Sequence, residues 1–386
     1  MDGAAPPVTY FDQDPLVATA SKLPHGYVTE VVALAPCELD GHPCVVTLNL
    51  AGQLRVRDAA TGVDVRPPLG GGLHDSTYWA QDYDWHLHVV DIDGVPHALA
   101  SAIFGDVECW NLDTGEQRGR EPGYVQVPTG VWMQDFDVWQ TPDGEWRVAF
   151  VTEQDELHVI DPVTGRAVRP AWQSQVKGLE WVAAVPGTAG ARLAGMSWRG
   201  ELAIWELQAG QTSERGVPGA PADEVLAYVD AAGAAGLAVC HEFTAGTLAR
   251  WNLDTGQPQA SWRSSTQFTL LADATYGPVA CTVHDGVFEV RRLADGAVVV
   301  SAAAPDAAGV WLVVPCTNQA GQPRWACFWD AEIRFLDPAA GQWSAPVAIS
   351  YPVRGKTENK VHGACAVPGG RLALGLINGW ASVEVR

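Results

Sequence analysis

Two stretches of the chain carry residues arranged to do chemistry. Trp79-Ala80-Gln81-Asp82-Tyr83-Asp84 is matched, 53 residues later, by Trp132-Met133-Gln134-Asp135-Phe136-Asp137. In an extended strand the side chains alternate between faces. Asp82 and Asp84 therefore share one face, and Gln81 and Tyr83 the other; Asp135 and Asp137 are likewise set apart from Gln134 and Phe136. His86 continues the face of Asp82 and Asp84. Four such carboxylates could act as general acid and base, with pKa values split by burial and like charge. They could also hold a hard divalent cation through oxygen ligands, or an ammonium group. The architectural alternative is that neighbouring donors and water satisfy them. Familiar catalytic motifs fail on spacing. Gly355-Lys356-Thr357 has Ser350 where a phosphate loop needs glycine, and His241-Glu242 lacks the second histidine of a metalloprotease helix. Gly195 to Gly200 is one residue too long for a nucleophile elbow. No cofactor is evident, though a divalent cation is chemically possible.

Those carboxylates have to be placed by a repeated unit. Leu54–Gly62 (Leu-Arg-Val-Arg-Asp-Ala-Ala-Thr-Gly) is echoed by Val107–Gly115, Leu157–Gly165, Leu202–Gly210, Leu248–Gly256, Phe288–Gly296 and Ile333–Gly341. The closing glycines recur every 40 to 53 residues, and an eighth copy, Trp380–Arg386, stops before its turn. Apolar and polar residues alternate over five to eight positions between Gly, Pro, Asn and Asp, which is the pattern of strands. In the first unit strand a is Val31–Ala35, strand b Pro43–Leu48, strand c Leu54–Asp58 and strand d Val63–Pro67. The Ala-rich stretch Ala227–Ala238 follows the same register and is predicted as strand despite its helix propensity. A period in the forties with four strands per unit predicts the blades of a β-propeller. Eight a-b-c sets with seven d strands leave one outer strand missing. The N-terminal segment around Val8–Gln13 should supply it and close the last blade. The expected fold is all-β: one closed propeller domain over residues 1–386, of eight blades, with seven as the alternative count.

The repeated phrase resembles the WD-repeat family, especially its bacterial repeats with an L-D-G-x-P turn, seen here as Leu39-Asp40-Gly41-His42-Pro43 and more loosely as Ile92-Asp93-Gly94-Val95-Pro96. Where the family has Trp-Asp, the chain reads Arg57-Asp58, Trp110-Asn111, Ile160-Asp161, Trp205-Glu206, Trp251-Asn252, Arg292-Leu293 and Leu336-Asp337. The family's Gly-His dipeptide before strand a is absent. The D-x-x-T-G turn is also similar to that of eight-bladed quinone-dehydrogenase-like propellers, but their adjacent-cysteine pair is missing. The resemblance implies that b–c and d–a loops share the top rim, where ligands bind. There the chain carries Phe104 and Asp106, Glu153, Trp198 and Arg199, His241 and Glu242, His284 and Asp285, and Trp329 and Asp330. Aromatic walls with a few polar groups at a concave mouth suit a ligand. Trp79, Trp132, Trp181 and Trp311 stand at a repeated point where the family packs a tryptophan under these loops. The resemblance implies a binding platform for a protein, peptide or small molecule. The alternative is a small-molecule enzyme using the carboxylates and histidines.

Composition sets the outer limits. The 386 residues carry a formal charge of −21, with 47% hydrophobic and 18% charged residues. That is ample for a core and far from a disordered composition. An acidic surface repels phosphate backbones, so no nucleic-acid partner is expected, and a basic partner is favoured. No apolar run reaches membrane-spanning length. Met1-Asp2-Gly3-Ala4 has neither a basic n-region nor an apolar h-region, so a cytoplasmic location is expected, and the chain is taken as a monomer. The eight cysteines include no CxxC, and reduced thiols inside strands are expected. Cys37 and Cys44 flank the Asp40-Gly41 turn and could face one another.

Overall fold

A computed structural model describes residues 8–11, 30–49, 52–70, 86–101, 107–127, 131–185, 191–208, 211–217, 224–241, 246–259, 261–264, 268–306, 310–329, 332–349, 361–376 and 379–385. Among these there is no helix; the described residues form eight antiparallel sheets, seven of them meanders in sequence order. Sheet 1 is Val31–Leu39, His42–Asn49, Gln53–Asp58 and Leu69–Gly70. Sheet 3 is Met133–Gln140, Trp146–Thr152, Glu156–Ile160 and Trp172–Gln173, and sheet 4 is Leu179–Val185, Ala191–Ser197, Leu202–Gln208 and Gln211–Val217. Sheet 2 is Leu87–Ile92, Val95–Ala100, Glu108–Asn111 and Gln117–Arg118, and sheet 5 opens with Glu224–Val229, Ala235–His241 and Thr247–Asn252. Sheet 6 is Thr269–Asp273, Gly277–His284, Val287–Arg292 and Val298–Ala303, and sheet 7 opens with Leu312–Thr317, Pro323–Trp329 and Glu332–Asp337. Sheet 8 is Val361–Val367, Arg371–Leu376 and Gly379–Glu384, completed by Val8–Phe11 from the other end of the chain, and each sheet is the blade of the same number. Val8 pairs with Val383 and Phe11 with Trp380, whose rings stack at 4.5 Å. The expected closing strand is thus present. The alanine-rich segment is two strands, Glu224–Val229 and Ala235–His241, as its register predicted.

The repeated phrase is a turn with a physical cause. At Asp58, Asn111 and Asp161 the side-chain Oδ1 accepts the N–H groups two and three residues on, and the carbonyl accepts the glycine N–H four residues on. The glycine then takes a left-handed φ of 72°, 76° and 73° at Gly62, Gly115 and Gly165, a region closed to most L side chains. Only a short polar side chain followed by glycine satisfies both demands. Strand d of the first unit lies later than expected: Asp64 makes an isolated bridge to Arg57, and the pairing strand is Leu69–Gly70. A two-residue strand has no alternation to read, which is why the pattern misplaced it.

The chain divides into two compact units, with sheets 1, 2, 7 and 8 in one and sheets 3, 4, 5 and 6 in the other. Within each, neighbouring sheets bury their facing sides against one another. Leu157 and Val159 of sheet 3 meet Leu193, Ala203 and Trp205 of sheet 4. Val31, Val45 and Ala59 of sheet 1 meet Ala373 and Trp380 of sheet 8. Each fully buried Val or Leu contributes roughly 1.5–3 kcal/mol, so sheet stacking dominates the stability. Among the described residues the fully buried indoles are Trp205, Trp325 and Trp380, all on strands b or c. At the repeated entry position Trp181 is partly buried, whereas Trp311 is 36% exposed. At the same position Trp132 is half-buried, and Trp79 lies outside the described residues.

One buried titratable group gives a pH dependence. His158 stacks flat on Phe150 at 4.7 Å, and burial lowers its pKa below the ordinary 6.5. The unfolded chain then binds the proton more readily than the native one, so stability is lost as pH falls through 6.5. The melting temperature should drop between pH 7 and 5, and His158→Gln should flatten that slope.

Candidate functional site

The inner strand of each sheet pairs on one edge only, so alternate N–H groups point away from the ladder. Two of the candidate aspartates meet this need. Asp135 Oδ2 accepts the N–H of Val182 at 2.8 Å, and Asp137 Oδ2 accepts that of Ala184 at 2.8 Å. The other oxygen of Asp137 accepts the N–H of Val138 at 2.7 Å. The spacing of two residues in Asp-x-Asp thus matches the spacing of free donors on strand a of sheet 4. Asp135 is 8% exposed. These carboxylates lace one sheet to the next, and no group of three or more His, Cys, Asp or Glu with metal-holding geometry occurs among the described residues.

Asp82, Asp84, Gln81 and Tyr83 lie outside the described residues. The pairing register nonetheless shows that strand a of sheet 2 is offset from the motif match. Leu87 pairs with Ala100 and His88 with Leu99, as Phe136 pairs with Phe150 and Asp137 with Ala149. His86 and His88, rather than Asp82 and Asp84, hold the positions equivalent to Asp135 and Asp137. The 53-residue match follows the turn glycines, but His86 stands 24 residues after Gly62 and Asp135 only 20 after Gly115, so the connection ahead of strand a is four residues longer in sheet 2.

The b–c loops hold the rest. In sheet 3 the Glu153–Asp155 loop is tied down: Asp155, at a left-handed φ of 61°, accepts the N–H groups of Gly178 and Leu179 at 2.6 and 3.1 Å. Glu153 N–H donates to the Trp132 carbonyl at 2.9 Å. Glu214, which sequence reasoning passed over, gathers Trp172 Nε1 at 2.7 Å, Ser174 Oγ at 2.8 Å and the Gln175 N–H at 3.0 Å. The linker between sheets 3 and 4 is thereby fixed. On it rests Trp198, which is 53% exposed. A Cβ on Gly178 would fall 2.3 Å from Trp198 Nε1, and the Trp198 N–H donates to the Gly178 carbonyl at 2.9 Å. The guanidinium of Arg199 covers the indole at 4.6 Å from its centroid. Lys177 Nζ, beside it in sequence, donates to the Ser174 carbonyl at 2.8 Å and lies 3.6 Å from Asp155.

No sequence family and no curated protein matches the chain. Solved structures do. The computationally designed protein Ika8 is 17% identical, with a TM-score of 0.61 over 94% of this chain and 98% of its own. Sqt1 of Saccharomyces cerevisiae is 13% identical, with a TM-score of 0.56 over 77% of this chain and 82% of its own. BBS1N, in complex with ARL6DN, is 13% identical, with a TM-score of 0.52 over 92% of this chain and all of its own. WD-repeat β-propellers are among these neighbours. The fold is an eight-bladed β-propeller.

The other loop candidates divide within the propeller. In blade 6, His284 and Asp285 end strand b at a tight hairpin; Asp285 has a φ of 49° and is 83% exposed, and His284 lies 3.5 Å from it. In blade 7, Trp329 was expected at an exposed tip. It is instead 3% exposed, its ring edge-on to Trp343 at 5.3 Å. Gln134 is a half-buried residue at the register shift that opens strand a of blade 3. Glu242, Asp330, Phe104 and Asp106 lie outside the described residues, as does the side chain of His241. One pair went unread in the sequence: Glu30, 6% exposed, meets His362 Nε2 at 3.0 Å where blades 1 and 8 adjoin. These residues stand far apart in sequence and no motif links them.

Proposed function

We propose that this propeller is a binding platform whose top rim, centred on Trp198 and Arg199 of blade 4, receives a protein or peptide partner. The observation that carries this reading is the exposed indole of Trp198, held between a fixed glycine linker and a stacked guanidinium. Rigid aromatic side chains with an arginine neighbour are the residue types that dominate binding energy at protein interfaces. The formal charge of −21 steers a basic partner toward the molecule. BBS1N, a structural neighbour, is in complex with a protein, which supports the same direction. The rim residues Glu153, His284 and Asp285 belong to this surface, and the 386 residues act as one domain. All eight cysteines are free, in keeping with a cytoplasmic setting. The inner-strand carboxylates are architectural on this reading, so an enzyme built on Asp135 and Asp137 is not favoured.

The test is selection of random 12-residue peptides displayed on phage against the full chain. Enriched peptides should be rich in Lys and Arg, and their binding, followed by fluorescence anisotropy, should weaken with salt. Trp198→Ala should reduce affinity by about tenfold or more with the melting temperature unchanged. Absence of enrichment, or equal affinity for the variant, would remove this surface from consideration.

A further inference from the structure

Cys37 and Cys44 stand directly opposite one another across the first hairpin of blade 1. Elsewhere among the described residues cysteines face other side chains: Cys109 pairs with Leu99 and Arg118, Cys281 with Thr269 and Val290, Cys327 with Val313 and Arg334. The two-residue turn Asp40-Gly41 makes Leu39 and His42 a hydrogen-bonded pair, and Cys37 and Cys44, two residues further along each strand, are the next such pair. Opposed Cα atoms there stand about 5.5 Å apart, inside the range a disulfide spans. The interaction between the two opposed thiols sets them apart, raising the Cys37 pKa and lowering that of Cys44. Burial opposes the lowering at Cys44 and raises thiols elsewhere, pushing Cys316 up to about 12.

We propose that Cys37 and Cys44 form a redox-modification site that a small peroxide closes into a reversible disulfide. The Cys44 thiolate attacks one peroxide oxygen, the O–O bond breaks, and hydroxide leaves, giving a Cys44 sulfenic acid. Cys37 sulfur then attacks the Cys44 sulfur, the S–O bond breaks, and water leaves as the S–S bond forms. In all, two thiols and one hydrogen peroxide give one disulfide and two waters. Both sulfurs are buried, but the pair lies two rungs from an exposed hairpin tip, and opening of those rungs admits an oxidant as small as peroxide. A thiolate with a resolving thiol at hand is the arrangement that favours reversible oxidation over further oxidation.

The experiment uses the full chain, reduced, exposed to hydrogen peroxide, then denatured and alkylated before mass spectrometry. Cys37 and Cys44 share the tryptic peptide that follows Lys22 and ends at Arg55. That peptide should lose two hydrogens, resist alkylation, and regain both thiols with dithiothreitol. In Cys37→Ala, Cys44 should stop at the sulfenic acid and be trapped by dimedone. In Cys44→Ala, peroxide consumption of Cys37 should slow by roughly tenfold. Full alkylation of all eight thiols after peroxide, a disulfide at any other pair, or direct conversion of Cys44 to sulfinic acid with Cys37 still free would overturn the proposal.

Discussion

Replacing Asp135 and Asp137 together with alanine should lower the unfolding free energy by about 3–6 kcal/mol, chiefly from the two charge-assisted hydrogen bonds that reach blade 4. The N–H groups of Val182 and Ala184 would be left facing the inner edge of blade 4 without these acceptors. Asparagine at both positions keeps an acceptor oxygen and should lose less than half as much. Urea unfolding of the full chain followed by tryptophan fluorescence measures the difference. A double alanine variant within about 1 kcal/mol of the wild type would show that the lacing is not structural, and would return both carboxylates to the list of candidate reactive groups.

A second large effect is expected at Gly165. Its φ is 73°, and an added Cβ would sit 2.0 Å from the carbonyl oxygen of Gly119 and 2.9 Å from Tyr124 Cβ. The obstruction is backbone, and it is held there: Gly119 N–H donates to the Val163 carbonyl, and Val125 N–H to that of Gly165. Gly165→Ala should therefore cost roughly 3–5 kcal/mol, combining left-handed strain with overpacking. Gly41 separates the two contributions. It has a φ of 75° but nothing within 4 Å of its Cβ position. Gly41→Ala should cost about 1 kcal/mol, the conformational part alone. Equal losses at the two glycines would mean that the linker beside Gly165 yields freely.

Legibility in the sequence followed the local physics. The Asp/Asn-x-x-Thr-Gly phrase was readable because one turn demands both a short acceptor side chain and a left-handed residue. The strands that alternate over six or more residues were readable for the same kind of reason. The two-residue outer strands carry no period, so strand d of blade 1 was misplaced. The repeated Asp-x-Asp motif was read correctly at Asp135 and Asp137 as strand a. Its match to Asp82 and Asp84 failed as a register because the connection from the preceding turn glycine to strand a is four residues longer in blade 2 than in blade 3. At the candidate rim, Trp198 and Trp329 occupy the same kind of place at the end of strand b. What separates the exposed one from the buried one is a partner distant in sequence: Gly178 beneath Trp198, Trp343 against Trp329. Glu30 and His362 show the limit of such reading, since nothing near either residue announces the other.

The pairing of Val8–Phe11 with Trp380–Val383 also sets a clock. Translation proceeds at about 5–20 residues per second, so the strand made first waits roughly 20–70 seconds for its partner to be made. For that interval Val-Thr-Tyr-Phe is an apolar, β-favouring segment with no edge of its own to join, the kind of segment that recruits other chains. A growing chain that accumulates negative charge repels its neighbours on the same message throughout the wait. The acidity of this protein then protects the nascent chain as much as it colours the finished surface.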